Sequence, residues 1–237
     1  MNADDKKLNI KDFFKKFEKI NYILVKKPEH FPNYYKGSDL DIFCDNKKSL
    51  IQQILIEGNK YIENFNYEIR VSSNEETKHT KVDFYLNNEI DIRFDIHEGL
   101  PNFKKIKIRN DYFYSLLDNK HKLEIENNLF IYIPSHIDDM ILRYIEYFEW
   151  FEKRPDKIKH LDYIEKHIKD EKEREDFFKQ LHKYIKMTDN DISKPEKRFD
   201  DIKTSKTDLK TKIKREIKYR SPLLYKILMK IKRIIKK

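Results

Sequence analysis

The stretch "YYKGSDLDIFCDN", residues 34–46, decides how the chain is read. Gly37 is one of only three glycines in 237 residues. It leads into Ser38 and then into Asp39 and Asp41, with a single leucine between them. The run "DLDIFC" alternates like a short strand, and alternate strand side chains share a face, so Asp39 and Asp41 project together. Two carboxylates this close repel unless a cation sits between them. The hard ions that take carboxylate and phosphate oxygens are Mg²⁺ or Mn²⁺. Gly37 would let the backbone approach a phosphate, and Ser38 would add a hydroxyl donor. The arrangement suits phosphoryl or nucleotidyl transfer.

A metal pair of this kind wants a third carboxylate from a neighbouring strand. "EIDIRFDIHEGL", residues 89–100, supplies the candidates. Ile90, Ile92, Phe94 and Ile96 predict a buried face, which leaves Asp91, Arg93, Asp95 and His97 on the opposite one. Asp95 is the favoured third ligand and Asp91 the alternative. His97 could join a metal, but a lone histidine beside a strand end reads first as a hydrogen-bonded surface residue.

Around these strands the pattern predicts an α+β fold. Apolar spacing over residues 8–19 reads as a helix, "NYILVKK" as a strand, and residues 47–65 as a second helix. "YEIRVS", "TKVDFYL" and "EIDIRFDIH" read as strands, with Asn87-Asn88 as a tight turn, and "NLFIYIP" as a further strand. These make a mixed-sheet domain over 1–134, flanked by helices. Ser135 is placed to cap a helix, and two more helices follow over 156–168 and 171–186, giving a helical domain over 135–190. Residues 191–237 form a basic tail, ending in an amphipathic helix that Ser221 and Pro222 would start.

The formal charge of +9 belongs to that tail. Residues 201–237 carry fourteen Lys/Arg against three Asp/Glu, which leaves 37 basic and 39 acidic residues elsewhere. A basic amphipathic helix over 221–237 suits an anionic membrane surface, where each basic residue contributes about 1 kcal/mol. Nucleic acid is disfavoured as a partner, because aromatics are not interleaved with the basic residues. The single cysteine, Cys44, excludes an internal disulfide framework and a cysteine-rich zinc site. The first twenty residues are charged throughout and lack an apolar signal core, which predicts a cytoplasmic protein, peripheral at most on the inner membrane face.

"GSDLDIF" followed on a later strand by "IRFDIHEGL" resembles the nucleotidyltransferase superfamily that shares its palm with DNA polymerase β. The longer stretch "YILVKKPEHFPNYYKGSDLDIFCD" is similar to a bacterial branch of it, encoded among genes for capsule or other surface polysaccharide. "IPSHIDDMILRYIEYFEWFEKRPDKIKHLDYI" is similar to the helical region of that branch. The resemblance implies a nucleotidyltransferase palm followed by a helical domain, a divalent metal and a nucleoside triphosphate donor. It makes Asp39 and Asp41 metal ligands and Asp95 the third acidic position. In better-known members a Gly-Ser element lies well ahead of the aspartate pair, beside the triphosphate. Here that region reads "LVKKPEH", so Lys26 or Lys27 stands there, and a lysine can act as a point charge for phosphate.

The expected activity is therefore Mg²⁺-dependent transfer of a nucleoside monophosphate, or another phosphoryl group, to a glycan or small-molecule hydroxyl in surface polysaccharide assembly. The alternatives are a nucleotidyltransferase of toxin–antitoxin type that modifies a partner protein, and a degenerate member kept as a scaffold or regulator.

Overall fold

The computed structural model describes residues 7–126, 128–151 and 153–187. The basic segment 191–237, with its expected terminal helix, lies outside the described residues.

The first helix, α1 (Ile10–Lys16), begins where the Asn9 side chain accepts the Lys11 N–H at 3.3 Å. Seven residues are too few to hold a helix in water unaided. Phe13 and Phe14, with Phe17 just beyond its end, bury completely and dock α1 on the sheet. Each such side chain contributes about 1.5–3 kcal/mol by leaving water. The chain continues through β1 (Tyr22–Val25) and β2 (Ser38–Cys44) to α2 (Lys47–Phe65), then β3 (Glu68–Asn74), β4 (His79–Leu86) and β5 (Glu89–His97). The Asn46 side chain caps α2 by accepting the Ser49 N–H at 2.9 Å. Asn66 ends α2 with a left-handed backbone, φ 58°. Asn87 and Asn88 also have positive φ, 54° and 63°, as the expected tight turn between β4 and β5 requires.

The five strands form one mixed sheet in the order β1-β2-β5-β4-β3. Within it β2 and β5 run parallel, and the other neighbours are antiparallel. One face is apolar: Leu40, Ile42, Cys44, Val82, Phe84, Ile92, Phe94 and Ile96 pack against α1 and against Leu50, Ile54 and Tyr61 of α2. Phe13 sits 5.2 Å from the Phe94 ring and 5.5 Å from Phe84. The connection over residues 26–37 is anchored into the same core. Phe31 and Tyr34 are buried there, and Phe31 lies 5.0 Å from Phe14.

Between β5 and residue 127 three elements escape the sequence pattern: β6 (Ile106–Ile108), α3 (Asp111–Asp118) and β7 (His121–Glu126). All three are short, although α3 carries Tyr112, Phe113, Leu116 and Leu117 at helical spacing and β7 alternates at Leu123 and Ile125. β7 forms an antiparallel hairpin with the expected β8 (Leu129–Ile133), which adds Leu129 and Ile131 to the core.

The contacts divide the chain into two compact units. Among the described residues, the first holds 7–102 together with Ile108–Asp139, and the second holds Phe103–Lys107 together with 140–187. The division falls inside α4 (His136–Trp150), whose start Ser135 caps by accepting the Asp138 N–H at 3.2 Å. In the second unit α5 (Lys159–His167) and α6 (Glu171–Tyr184) follow α4, and the Tyr144 and Phe177 rings meet edge to face at 5.8 Å. The Glu149 carboxylate accepts the Lys104 and Lys105 amides there, at 3.0 and 2.9 Å. The strand β6 pairs with β9 (Ile185–Met187), which begins inside the span expected to be helical to residue 186.

Candidate metal centre

The second face of the sheet is polar where β2, β5 and β4 meet. Asp39 and Asp41 emerge from it on β2, as their alternation predicts. The parallel register sets Asp41 opposite Asp95 and Asp39 opposite Arg93. One oxygen from each of Asp39, Asp41 and Asp95 lies within 4.8 Å of the others. Asp39 is exposed, and Asp41 and Asp95 are half-buried. Two unit charges 4 Å apart repel by about 1 kcal/mol in water and about 4 kcal/mol near a protein surface. The cluster therefore requires positive charge.

Two cations supply part of it. Lys26 Nζ lies 3.1 Å from Asp41 Oδ2. Lys26 follows directly on β1 and has a left-handed backbone, φ 51°, which costs a side chain-bearing residue about 1–2 kcal/mol. Strain of this kind concentrates at functional sites. Arg93 forks onto Asp83 with bonds of 2.6 and 2.9 Å. That pairing, reinforced by the nearby charges of Asp95 and Asp39, strengthens the hold of Arg93 on its proton.

The remaining residues expected at the site have local partners. Lys27 donates to the Pro28 carbonyl at 3.1 Å, so of the two lysines it is Lys26 that reaches the carboxylates. Gly37 has φ +79° in the tight turn that closes when Ser38 N–H donates to the Tyr35 carbonyl at 2.9 Å. A glycine is needed for that backbone. Its own N–H donates to the Asp91 carbonyl at 2.8 Å. Ser38 Oγ accepts the Tyr35 N–H at 3.1 Å, which leaves the hydroxyl hydrogen available as a donor. The glycine thus shapes the approach to β2, and both amides of the Gly-Ser pair are engaged inside the fold.

Asp91, the alternative third ligand, stands elsewhere. The β4–β5 register shifts between Phe84 and Tyr85, pairing Phe84 with Ile92 but Tyr85 with Ile90, so Asp91 is an extra residue. Such a bulge breaks the in–out alternation. Asp91 is 5% exposed and accepts the Tyr34 hydroxyl at 2.5 Å and the Tyr67 hydroxyl at 2.8 Å, beside the core. Burial and the Asp91 carboxylate push both phenols far up, so they remain donors.

The same bulge sets His79 opposite His97. Their rings stack with centroids 4.3 Å apart and planes 8° from parallel. His79 Nε2 contacts Asp95 Oδ1, and His97 Nε2 lies 3.8 Å from that oxygen. His97 is not the hydrogen-bonded surface residue expected: its side chain is 14% exposed and its Nδ1 is buried without a partner. Burial, and then the neighbouring His79, push His97 down to about 4, which keeps it neutral at neutral pH. Sequence reasoning missed His79 because its only signal is a register that depends on the bulge.

The donors of the trio are all carboxylate oxygens converging from two strands, a set that fits Mg²⁺ or Mn²⁺. No protein-family model matches the chain, and no curated protein matches it.

Proposed function

We propose that the chain is a metal-dependent nucleotidyltransferase that moves a nucleoside monophosphate from a nucleoside triphosphate to a glycan or small-molecule hydroxyl, forming the bond from that oxygen to the α-phosphorus and releasing pyrophosphate, in surface polysaccharide assembly. The observation that carries this reading is the convergence of Asp39, Asp41 and Asp95 within 4.8 Å on the parallel strands β2 and β5. These residues would hold Mg²⁺ or Mn²⁺, which supplies the positive charge that polarises the transferred phosphate. Asp95 would accept the acceptor's hydroxyl proton, since a carboxylate beside the reacting oxygen is a competent base. Lys26 would place its ammonium on the phosphates of the donor, and the Ser38 hydroxyl would donate to a phosphate oxygen.

The test is nucleotide transfer from each of the four triphosphates in Mg²⁺, with candidate glycan and sugar acceptors. Asp39→Asn and Asp41→Asn abolish turnover while the circular dichroism spectrum stays that of the parent. Full activity in both variants overturns the assignment.

A second reading is favoured by Lys26. An ammonium 3.1 Å from Asp41 can neutralise the trio in place of a metal, as in a member of the fold retained as a scaffold. Calorimetry separates the two readings: an enzyme binds at least one triphosphate with Mg²⁺, and a scaffold binds none.

A further inference from the structure

We propose that His79, Asp95 and His97 form a second metal site beside the carboxylate trio, suited to a first-row transition ion of Zn²⁺ type rather than to Mg²⁺. One ligand atom from each lies within 4.8 Å of the other two. The antiparallel register puts both imidazoles on the sheet face that carries Asp95, two residues along β5 from His97.

Hydrogen bonding does not account for the position of His97. Its Nδ1 is buried without a partner, and its Nε2 stands 3.8 Å from Asp95 Oδ1, outside bonding range. The ring is wedged between His79 at 4.3 Å and Phe43 at 5.4 Å. A buried polar side chain without a hydrogen bond is costly and rare in native proteins. A neutral imidazole carries one lone pair, and no hydrogen bond here uses that of His97, so it is available to a cation.

The donor chemistry names the ion. Two imidazole nitrogens and one carboxylate oxygen suit Zn²⁺ and its neighbours, whereas Mg²⁺ takes oxygen. Three protein ligands leave further positions open, the pattern of catalytic rather than structural zinc. The side chains of His79, Asp95 and His97 are 21%, 17% and 14% exposed, so the site has a mouth. Asp95 belongs to both ligand groups, so an ion on the imidazoles and one on the trio would share a carboxylate. The inference shares Asp95 with the proposed nucleotidyltransferase site but does not require turnover.

The test is metal binding by the full chain, with Co²⁺ as the spectroscopic probe and Zn²⁺ as competitor. The parent chain binds Co²⁺ with the visible absorption of a nitrogen-ligated ion, and Zn²⁺ displaces it. Asp39→Asn keeps that absorption. His79→Gln and His97→Gln each lose it, weakening binding by more than the ~10–100-fold that follows loss of an outer-shell partner. Ring ¹⁵N spectra of the parent chain require no variant to fold: Zn²⁺ shifts the signals of His79 and His97 together. Absence of the absorption in the parent, its persistence in both histidine variants, or unshifted ring signals overturns the site. Because the readout is binding, failure here leaves the nucleotidyl-transfer test standing, and failure of that test leaves this one.

Discussion

Asp41 stands opposite Asp95 where β2 and β5 run parallel, so two carboxylates far apart in the chain meet on one face of the sheet. Such a pairing is unfavourable without a counter-charge, and Lys26 reaches one side of it. The site therefore carries stored repulsion that a bound cation relieves.

That repulsion is measurable as a melting temperature. Adding Mg²⁺ or Mn²⁺ raises the melting temperature of the parent chain, by about 2.7 kcal/mol of stabilisation at a hundred times the dissociation constant. Asp39→Asn melts in chelator at or above the parent, because one of three clustered anions is gone, and it no longer responds to Mg²⁺. Differential scanning fluorimetry with and without chelator checks both halves. A Mg²⁺ response that survives the substitution removes Asp39 from the site.

Asp91 is predicted to matter for stability and not for metal. Asp91→Leu leaves the Tyr34 and Tyr67 hydroxyls buried without their acceptor. Each unsatisfied group costs about 1–3 kcal/mol, so urea unfolding shows a loss of about 2–5 kcal/mol. Tyr67→Phe loses only about 1 kcal/mol, the net worth of one hydrogen bond. The loss in Asp91→Leu is the same in Mg²⁺ and in chelator; a metal-dependent loss would return Asp91 to the ligand set.

Two glycines separate backbone strain from packing. At Gly37 an added Cβ meets nothing nearer than the Ile90 carbonyl oxygen at 4.0 Å, but φ is +79°. Gly37→Ala therefore costs about 1–2 kcal/mol through the backbone alone, and Gly37→Asn costs less. Gly58 lies within α2, where alanine is worth up to about 1 kcal/mol over glycine. Its Cβ would stand 2.7 Å from Ile69 Cδ1 and 2.8 Å from the Phe84 ring. Overpacking of about 1–3 kcal/mol outweighs the helix gain, so Gly58→Ala also destabilises. Urea midpoints of the three variants check the order.

Cys44 reports on the sheet's buried face. It is wholly buried, and burial pushes its thiol up to about 12 from about 9. The folded state thus favours the protonated thiol. Its contribution is fully present below pH 9 and is lost as pH rises towards 12. Subtracting the unfolding free energy of Cys44→Ala from that of the parent isolates this fall across pH 9 to 12. At neutral pH the native thiol resists a disulfide reagent and reacts once urea unfolds the chain; rapid native-state labelling would place Cys44 at the surface.

Much of the fold was legible in the chain. The alternation of "DLDIFC" placed Asp39 and Asp41 together, and the apolar spacing of residues 47–65 matched α2 from end to end. Asn87-Asn88 announced its hairpin because asparagine tolerates the two positive φ angles that turn demands. Of the elements that went unread, β6 and β9 have three residues each, too few for a period to show, whereas α3 repeats Tyr112 with Leu116 and Phe113 with Leu117, and β7 alternates at Leu123 and Ile125.

Local preference and the two-residue period of a strand are properties of neighbouring residues, so the chain alone determined which side chains of β2 share a face and where its hairpin turns. Which strand lies beside β2 is a long-range choice, made by burial of Leu40, Ile42, Ile92, Phe94 and Ile96 under α1 and α2. That choice brings Asp95 to Asp41. The bulge at Asp91 is likewise decided by tertiary packing: two buried tyrosine hydroxyls draw the carboxylate to the core, and the inserted residue shifts the register by one. One inserted residue removes Asp91 from the polar face and pairs His79 with His97, because side-chain direction in a sheet follows register and register is set by contacts across strands.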